Sequence, residues 1–254
     1  MRRFGWAWNE LGETNALGAI LTRDGKVGDW NLAEFLETGI GDAAHFMQSL
    51  ELVKKTDRRI ALDFGCGVGR ITRALSQYFE TVVGVDVAPS MIERARALNK
   101  DCPGCRFVLN RAPDLRQFAS GTFDVVYTKI VLQHIRPAIV RRYIPELVRV
   151  LAPGGVLMFQ LPDVMGIDSR QLFEDAPVEG SSLKRRLPRG LVVAWRRLKY
   201  FMIVRQGGAQ IEMFGMARAE VEALIRDAGG RLIEATPDHS HGDLGDGWEY
   251  WVTR

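Results

Sequence analysis

The sequence predicts an α/β protein built on a largely parallel sheet, and three observations carry that prediction. Short apolar runs rich in β-branched residues alternate with helical patterns between residues 60 and 161. The first apolar run, Ile60-Ala61-Leu62-Asp63-Phe64, leads straight into Gly65-Cys66-Gly67-Val68-Gly69, the signature of a strand, a tight turn and a helix start. At the end of the chain two further runs, 231–236 and 248–253, are separated only by the polar stretch Pro237–Gly247. With no helix between them, those two strands are expected to pair antiparallel.

The elements follow in order. Residues 4–24 are rich in tryptophan and glycine, with Trp6, Trp8, Leu17 and Ile20 as anchors. From Trp30 to Val53 apolar residues recur at helical spacing, interrupted by Gly39-Ile40-Gly41. That interruption reads either as a plain turn or as backbone set close to the glycine turn. Residues 1–55 are therefore expected to form a helical cap, and 56–254 the core. Within the core, strands are expected at 60–64, 81–86, 105–109, 123–128 and 154–161, with helices at 69–79, 89–99 and 138–151. Pro89 suits a first helical turn and Ser90 a cap. Pro153-Gly154-Gly155 stops the third helix. Beyond residue 162 the alternation breaks, so 163–216 reads as an insertion on the substrate side. A helix at 217–228 then ends at Gly229-Gly230.

Bulk properties narrow the class. The 254 residues are 46% hydrophobic and 26% charged, as in a globular protein with a sizeable core. A formal charge of +3 decides nothing about partners. No apolar run reaches membrane-span length, and Asn9, Glu10 and Glu13 interrupt any signal-peptide core after Met1-Arg2-Arg3. Cys66, Cys102 and Cys105 do not make a disulfide framework. Cys102-Pro103-Gly104-Cys105 has the spacing of a redox pair, but it lies between a helix and a strand and reads as a turn. An intracellular, cytoplasmic protein is expected.

The glycine turn limits its ligand. Its spacing is Gly-x-Gly-x-Gly, not the Gly-x-Gly-x-x-Gly of a dinucleotide site. Asp63 precedes it, and a carboxylate there repels a pyrophosphate but suits an ammonium or sulfonium. The second strand ends in Asp86, about twenty positions after Gly65, where a ribose-binding acid is expected. Ribose with a cationic, phosphate-free tail describes S-adenosylmethionine.

The run Leu62–Gly69, then Val83-Gly84-Val85-Asp86-Val87-Ala88-Pro89-Ser90-Met91, resembles the class I S-adenosylmethionine-dependent methyltransferases. So do Phe123-Asp124-Val125-Val126, Leu132-Gln133-His134-Ile135 and Leu151-Ala152-Pro153-Gly154-Gly155, in the same order. The resemblance covers residues 60–161 and implies a Rossmann-like, doubly wound, seven-stranded sheet with an antiparallel last strand. It implies that Asp63, Gly65, Cys66 and Gly67 line the methionine end, that Asp86 accepts the ribose hydroxyls, and that Val87 and Met91 flank the adenine. An acid that often holds the adenine amine aligns with Arg111, beside Ala112; either Asp114 substitutes or the amine is held otherwise. Lys129 falls where the family lines the methionine moiety.

Methyl transfer from a sulfonium is an in-line displacement, and alignment with exclusion of water supplies about 7–11 kcal/mol for well-oriented partners. An oxygen or nitrogen acceptor also needs a base. His134, at the carboxyl edge after the fourth strand, is the candidate; its alternative is a structural histidine bonded within its loop. The loop Pro237-Asp238-His239-Ser240-His241-Gly242-Asp243 offers a second base, and no metal site is expected in it. The segment 181–205 carries only basic charge, interleaved with apolar residues, and is followed by Glu212 and Phe214. It reads as a surface helix, a lid over an anionic or lipid-linked acceptor, or a peripheral membrane contact. No Asn-Pro-Pro-Tyr motif of base methylation follows the fifth strand, where Gln160-Leu161-Pro162-Asp163 stands, so a nucleic-acid substrate is not expected. The expected activity is methyl transfer from S-adenosylmethionine to a small molecule, most simply at oxygen. The alternatives are an S-adenosylmethionine-binding protein without turnover and, less favoured, a dinucleotide-dependent oxidoreductase.

Overall fold

The computed structural model describes residues 2–21, 30–163, 213–238 and 247–254. Three helices come first: α1 (Arg2–Thr14), α2 (Ala16–Ile20) and α3 (Leu32–Val53). The alternating core then runs β1 (Ile60–Phe64), α4 (Arg70–Leu75), β2 (Thr81–Asp86), α5 (Pro89–Leu98), β3 (Cys105–Leu109) and β4 (Phe123–Thr128). After a 3-10 turn at Leu132–His134 come α6 (Pro137–Val150) and β5 (Leu151–Pro162). Beyond the long insertion, α7 (Arg218–Asp227), β6 (Arg231–Asp238) and β7 (Gly247–Thr253) close the chain.

The seven strands form one sheet in the order β3-β2-β1-β4-β5-β7-β6. β1 to β5 pair parallel, while β7 runs antiparallel to both β5 and β6. The buried, β-branched strands suit a sheet covered on both faces. One face carries Leu62, Val126, Leu157 and Val252 against α6 and α7. The other carries Ala61, Val125, Tyr127, Met158 and Trp251 against α3 and α4. Among the described residues, no helix is long and apolar enough to cross a membrane.

Four local expectations need correction. α3 runs unbroken through Gly39-Ile40-Gly41, so there is no plain turn, while the alternative of backbone set close to the glycine turn holds at Gly39. Gly39 is buried where a Cβ would stand 2.7 Å from both Cγ and the carbonyl oxygen of Arg70, so the glycine lets α3 lie directly against α4. Pro153-Gly154-Gly155 lies inside β5, which starts at Leu151 and shifts register against β4 between Phe123 and Val125. Ser90 does not cap α5 with its side chain; its N–H donates to Asn9 Oδ1 (3.0 Å) and its hydroxyl to the Asn9 carbonyl (2.8 Å), tying α1 to the start of α5. Cys102 and Cys105 do form the expected turn, with Cys105 N–H on the Cys102 carbonyl, but a disulfide also joins them.

Candidate active site

A cavity of about 440 Å³ lies at the carboxyl edge of β2, β1, β4 and β5, where the antiparallel β7 brings its amino-terminal half. Open parallel sheets bind ligands at that edge. The glycine turn sits at its centre. Gly65 has φ +84° and Gly67 φ +53°, a region L-residues rarely adopt. A Cβ on Gly65 would meet Val131 Cγ2 at 2.4 Å, and one on Gly67 would meet Ile20 Cδ1 at 2.6 Å. The turn's amides point inward: Gly65 and Cys66 N–H both donate to the Val85 carbonyl (2.8 and 3.0 Å), and Gly67 N–H donates to Asp86 Oδ2 (3.0 Å). The turn thus gives close backbone approach while its first three amides are engaged within the fold. This differs from the usual phosphate-binding glycine turn.

Two carboxylates flank it. Asp63, at the end of β1, is buried and accepts the Thr72 hydroxyl at 2.6 Å. Burial pushes its carboxyl up to about 6, against the Thr72 bond and the charge of Arg70. Asp86 accepts Gly67 N–H on one oxygen and Ala88 N–H (2.9 Å) on the other, and burial raises it as well. Each carboxylate oxygen keeps a second lone pair. Burial also pushes the Cys66 thiol well up, so it stays protonated.

Asp63, Gly65, Cys66, Gly67, Asp86, Val87, Met91, Lys129 and His134 all line this one cavity. Arg111 and Ala112 do not. Arg111 is exposed, and the buried Asn110 beside it lines the cavity instead, with its amide donating to the Asp114 carbonyl (2.9 Å). Nor does Asp114 replace the missing acid, because Arg116 grips its carboxylate at 2.9 and 2.6 Å and holds it down at about 2. His134 ends the 3-10 turn, with the Trp8 ring edge-on at 5.3 Å.

Other lining residues escaped the sequence reading. Asp42, His45, Phe46 and Ser49 recur at i, i+3, i+4 and i+7 on α3, one helical face. That spacing was the signal available. Arg70, directly after Gly69, is 9% exposed; it donates to Asp42 (2.6 Å) and Thr38 (3.1 Å), and its Nε is buried without a partner. Lys129 reaches Glu249 on β7 at 3.1 Å. Ile130, with φ +59°, stands between Lys129 and Val131, and all three line the cavity. A β-branched residue there is an outlier of the kind that collects at functional sites.

Among the described residues, no group of three or more His, Cys, Asp or Glu is placed to hold a metal. The segment 181–205, Glu212 and His239–Asp243 lie outside the described residues. Phe214 does not line the cavity; its N–H donates to the Gln133 carbonyl at 2.7 Å.

Comparisons agree with this geometry. Residues 62–159 match a family described as a methyltransferase domain. An uncharacterized methyltransferase of Synechocystis is 36% identical over 49% of this chain and 57% of its own length. A trans-aconitate 2-methyltransferase of Enterobacter is 28% identical over 73% of this chain and 70% of its own, and one of Methylobacterium radiotolerans is 31% identical over 60% and 56%. The chain thus spans little more than half the length of two of these three relatives and 70% of the third. A solved S-adenosylmethionine-dependent methyltransferase of Leishmania major superposes over 99% of this chain and 83% of its own, with a TM-score of 0.61 at 16% identity. The magnesium protoporphyrin IX methyltransferase of Synechocystis, solved with S-adenosylhomocysteine, does so over 89% of each chain with a TM-score of 0.54, also at 16%.

Proposed function

We propose that this chain is a class I S-adenosylmethionine-dependent methyltransferase and transfers a methyl group to an oxygen of a small molecule. The observation that carries the reading is the pair of buried carboxylates around a glycine turn whose first three amides are already engaged, a setting that favours a ribose and a cation over a pyrophosphate. The orphaned Nε of Arg70 fits the same ligand, since a buried donor with no partner calls for an acceptor such as the cofactor's carboxylate. Relatives named for trans-aconitate, whose nucleophiles are all oxygens, support oxygen as the receiving atom.

Asp86 would hold the ribose hydroxyls and Asp63 the ammonium, with Val87 and Met91 against the adenine. When bound, S-adenosylmethionine supplies an electrophilic methyl group on a sulfonium. The chain contributes alignment, a cavity lined mainly by apolar side chains, and a place for the acceptor's proton. His134 would take that proton as the acceptor oxygen bonds to the methyl carbon and the carbon–sulfur bond breaks. The test is transfer of labelled methyl to a metabolite panel by wild type and His134→Ala. Label must appear in an acceptor with the wild type, and the variant's turnover must fall about 10²-fold or more at neutral pH. Unchanged turnover removes the base role.

A further inference from the structure

Asp63, Tyr127, Met158 and Trp251 are register partners across β1, β4, β5 and β7, one row on the α3 face of the sheet. Strands stand ~4.8 Å apart, so Trp251 is roughly 14 Å along the row from Asp63, while β2 with Asp86 lies one strand away in the opposite direction. A cofactor held by Asp86 and Asp63, as proposed above, leaves the β4–β5–β7 end of the cavity for the acceptor.

The chemistry of that end is specific. Lys129 and Glu249 come from strands on either side of β5 yet meet at 3.1 Å, and the other oxygen of Glu249 accepts Trp251 Nε1 at 3.0 Å. Among the described lining residues, Arg70 and Lys129 each already have a carboxylate partner, and Asp63 and Asp86 add two more acids. The described lining of the cavity therefore carries an acidic excess. Phe46 stacks on Trp251 (centroids 5.6 Å, planes 11° apart) and meets the edge of Tyr127 at 4.9 Å, giving a flat apolar floor. Tyr127 lines the cavity at 5% exposure, and its hydroxyl makes no hydrogen bond to a described residue. Burial, then the charges of Asp63 and Asp42, keep that hydroxyl protonated.

We propose that the acceptor taken at the β4–β5–β7 end of the cavity is an uncharged or cationic molecule with a flat apolar body and a polar group for the Tyr127 hydroxyl. Glu249 cancels the charge of Lys129, so a carboxylate or phosphate entering here meets no unpaired cation among the described lining residues of this end. On this account the acceptor is not a polycarboxylic acid.

The experiment uses protein saturated with S-adenosylhomocysteine and three phenols that differ in charge: 4-ethylphenol, tyramine and 3-(4-hydroxyphenyl)propionate. Calorimetry should show the first two binding and the third at least about tenfold weaker. Tyr127→Phe should weaken 4-ethylphenol about fivefold or more while the affinity for S-adenosylhomocysteine holds. Glu249→Gln keeps an acceptor for Trp251 Nε1 but frees Lys129, and should narrow the gap between tyramine and the propionate about tenfold. The proposal is overturned if the propionate binds wild type as tightly as tyramine, if neither uncharged nor cationic phenol binds at millimolar concentration, or if Tyr127→Phe weakens the cofactor product instead of the phenol. Failure of wild type to bind S-adenosylhomocysteine would instead strike the functional reading on which this one rests.

Discussion

The Thr72 hydroxyl donates to Asp63 Oδ2 at 2.6 Å, joining the first helix after the glycine turn to the carboxylate at the end of β1. Even with that bond, burial holds the carboxyl at about 6. Its folded-state value lies above its ordinary one, so its contribution to stability is fully present below about pH 4. That contribution is lost as pH rises from about 4 to 6. Asp63→Asn keeps an oxygen for Thr72 and removes the charge. The apo variant should be more stable than wild type at pH 7 by up to about 3 kcal/mol, with the gap closing toward pH 4. Its affinity for S-adenosylmethionine should fall. Denaturant unfolding at pH 7, 5.5 and 4 checks this; a less stable variant at pH 7 would contradict it.

Gly39 and Gly41 make a paired test of the contact between α3 and α4. Alanine at Gly41, where nothing lies within 4 Å, should stabilise the protein by about 0.5–1 kcal/mol through helix propensity alone. Alanine at Gly39 should destabilise it by about 1–3 kcal/mol, because its Cβ strikes Arg70 and overpacking outweighs propensity. Thermal melts of the two variants should move in opposite directions. Cofactor affinity should drop with Gly39→Ala only.

Asp124 belongs to the Phe123-Asp124-Val125-Val126 run but stands at the far end of β4 from the cavity. Its carboxylate accepts the N–H groups of Arg59 (3.0 Å) and Ile60 (3.1 Å) and the Arg59 guanidinium (3.0 Å). Asp124→Ala leaves those donors unpaired and should cost about 2–3 kcal/mol of stability. In folded protein, calorimetry should find the affinity for S-adenosylmethionine unchanged. A large loss of affinity would give Asp124 a role at the site that its position does not support.

Much of the core could be read in advance because its strands are short, apolar runs and its turns are glycine-marked. β1, β2, β3 and β4 fall on the expected residues, since buried parallel strands advertise themselves by composition. Asp63 and Asp86 were legible because each ends a strand beside the turn. What stayed hidden depends on tertiary approach. Gly39 looked like a helix break, yet it is the close contact with Arg70 that calls for glycine. Asn110 lines the cavity where Arg111 aligned, because side chains along β3 and its exit alternate in direction. Tyr127, Glu249 and Trp251 meet only when β4 and β7 take places on either side of β5, and no local pattern encodes that meeting.

The central claim is that the glycine turn, with Asp63 and Asp86, holds S-adenosylmethionine. Calorimetry of wild type and Asp86→Ala with S-adenosylmethionine and with NAD tests it most directly. Wild type should bind S-adenosylmethionine and not NAD, and Asp86→Ala should lose at least about tenfold in affinity as the ribose contact disappears. Tight binding of NAD, with none of S-adenosylmethionine, would contradict the account.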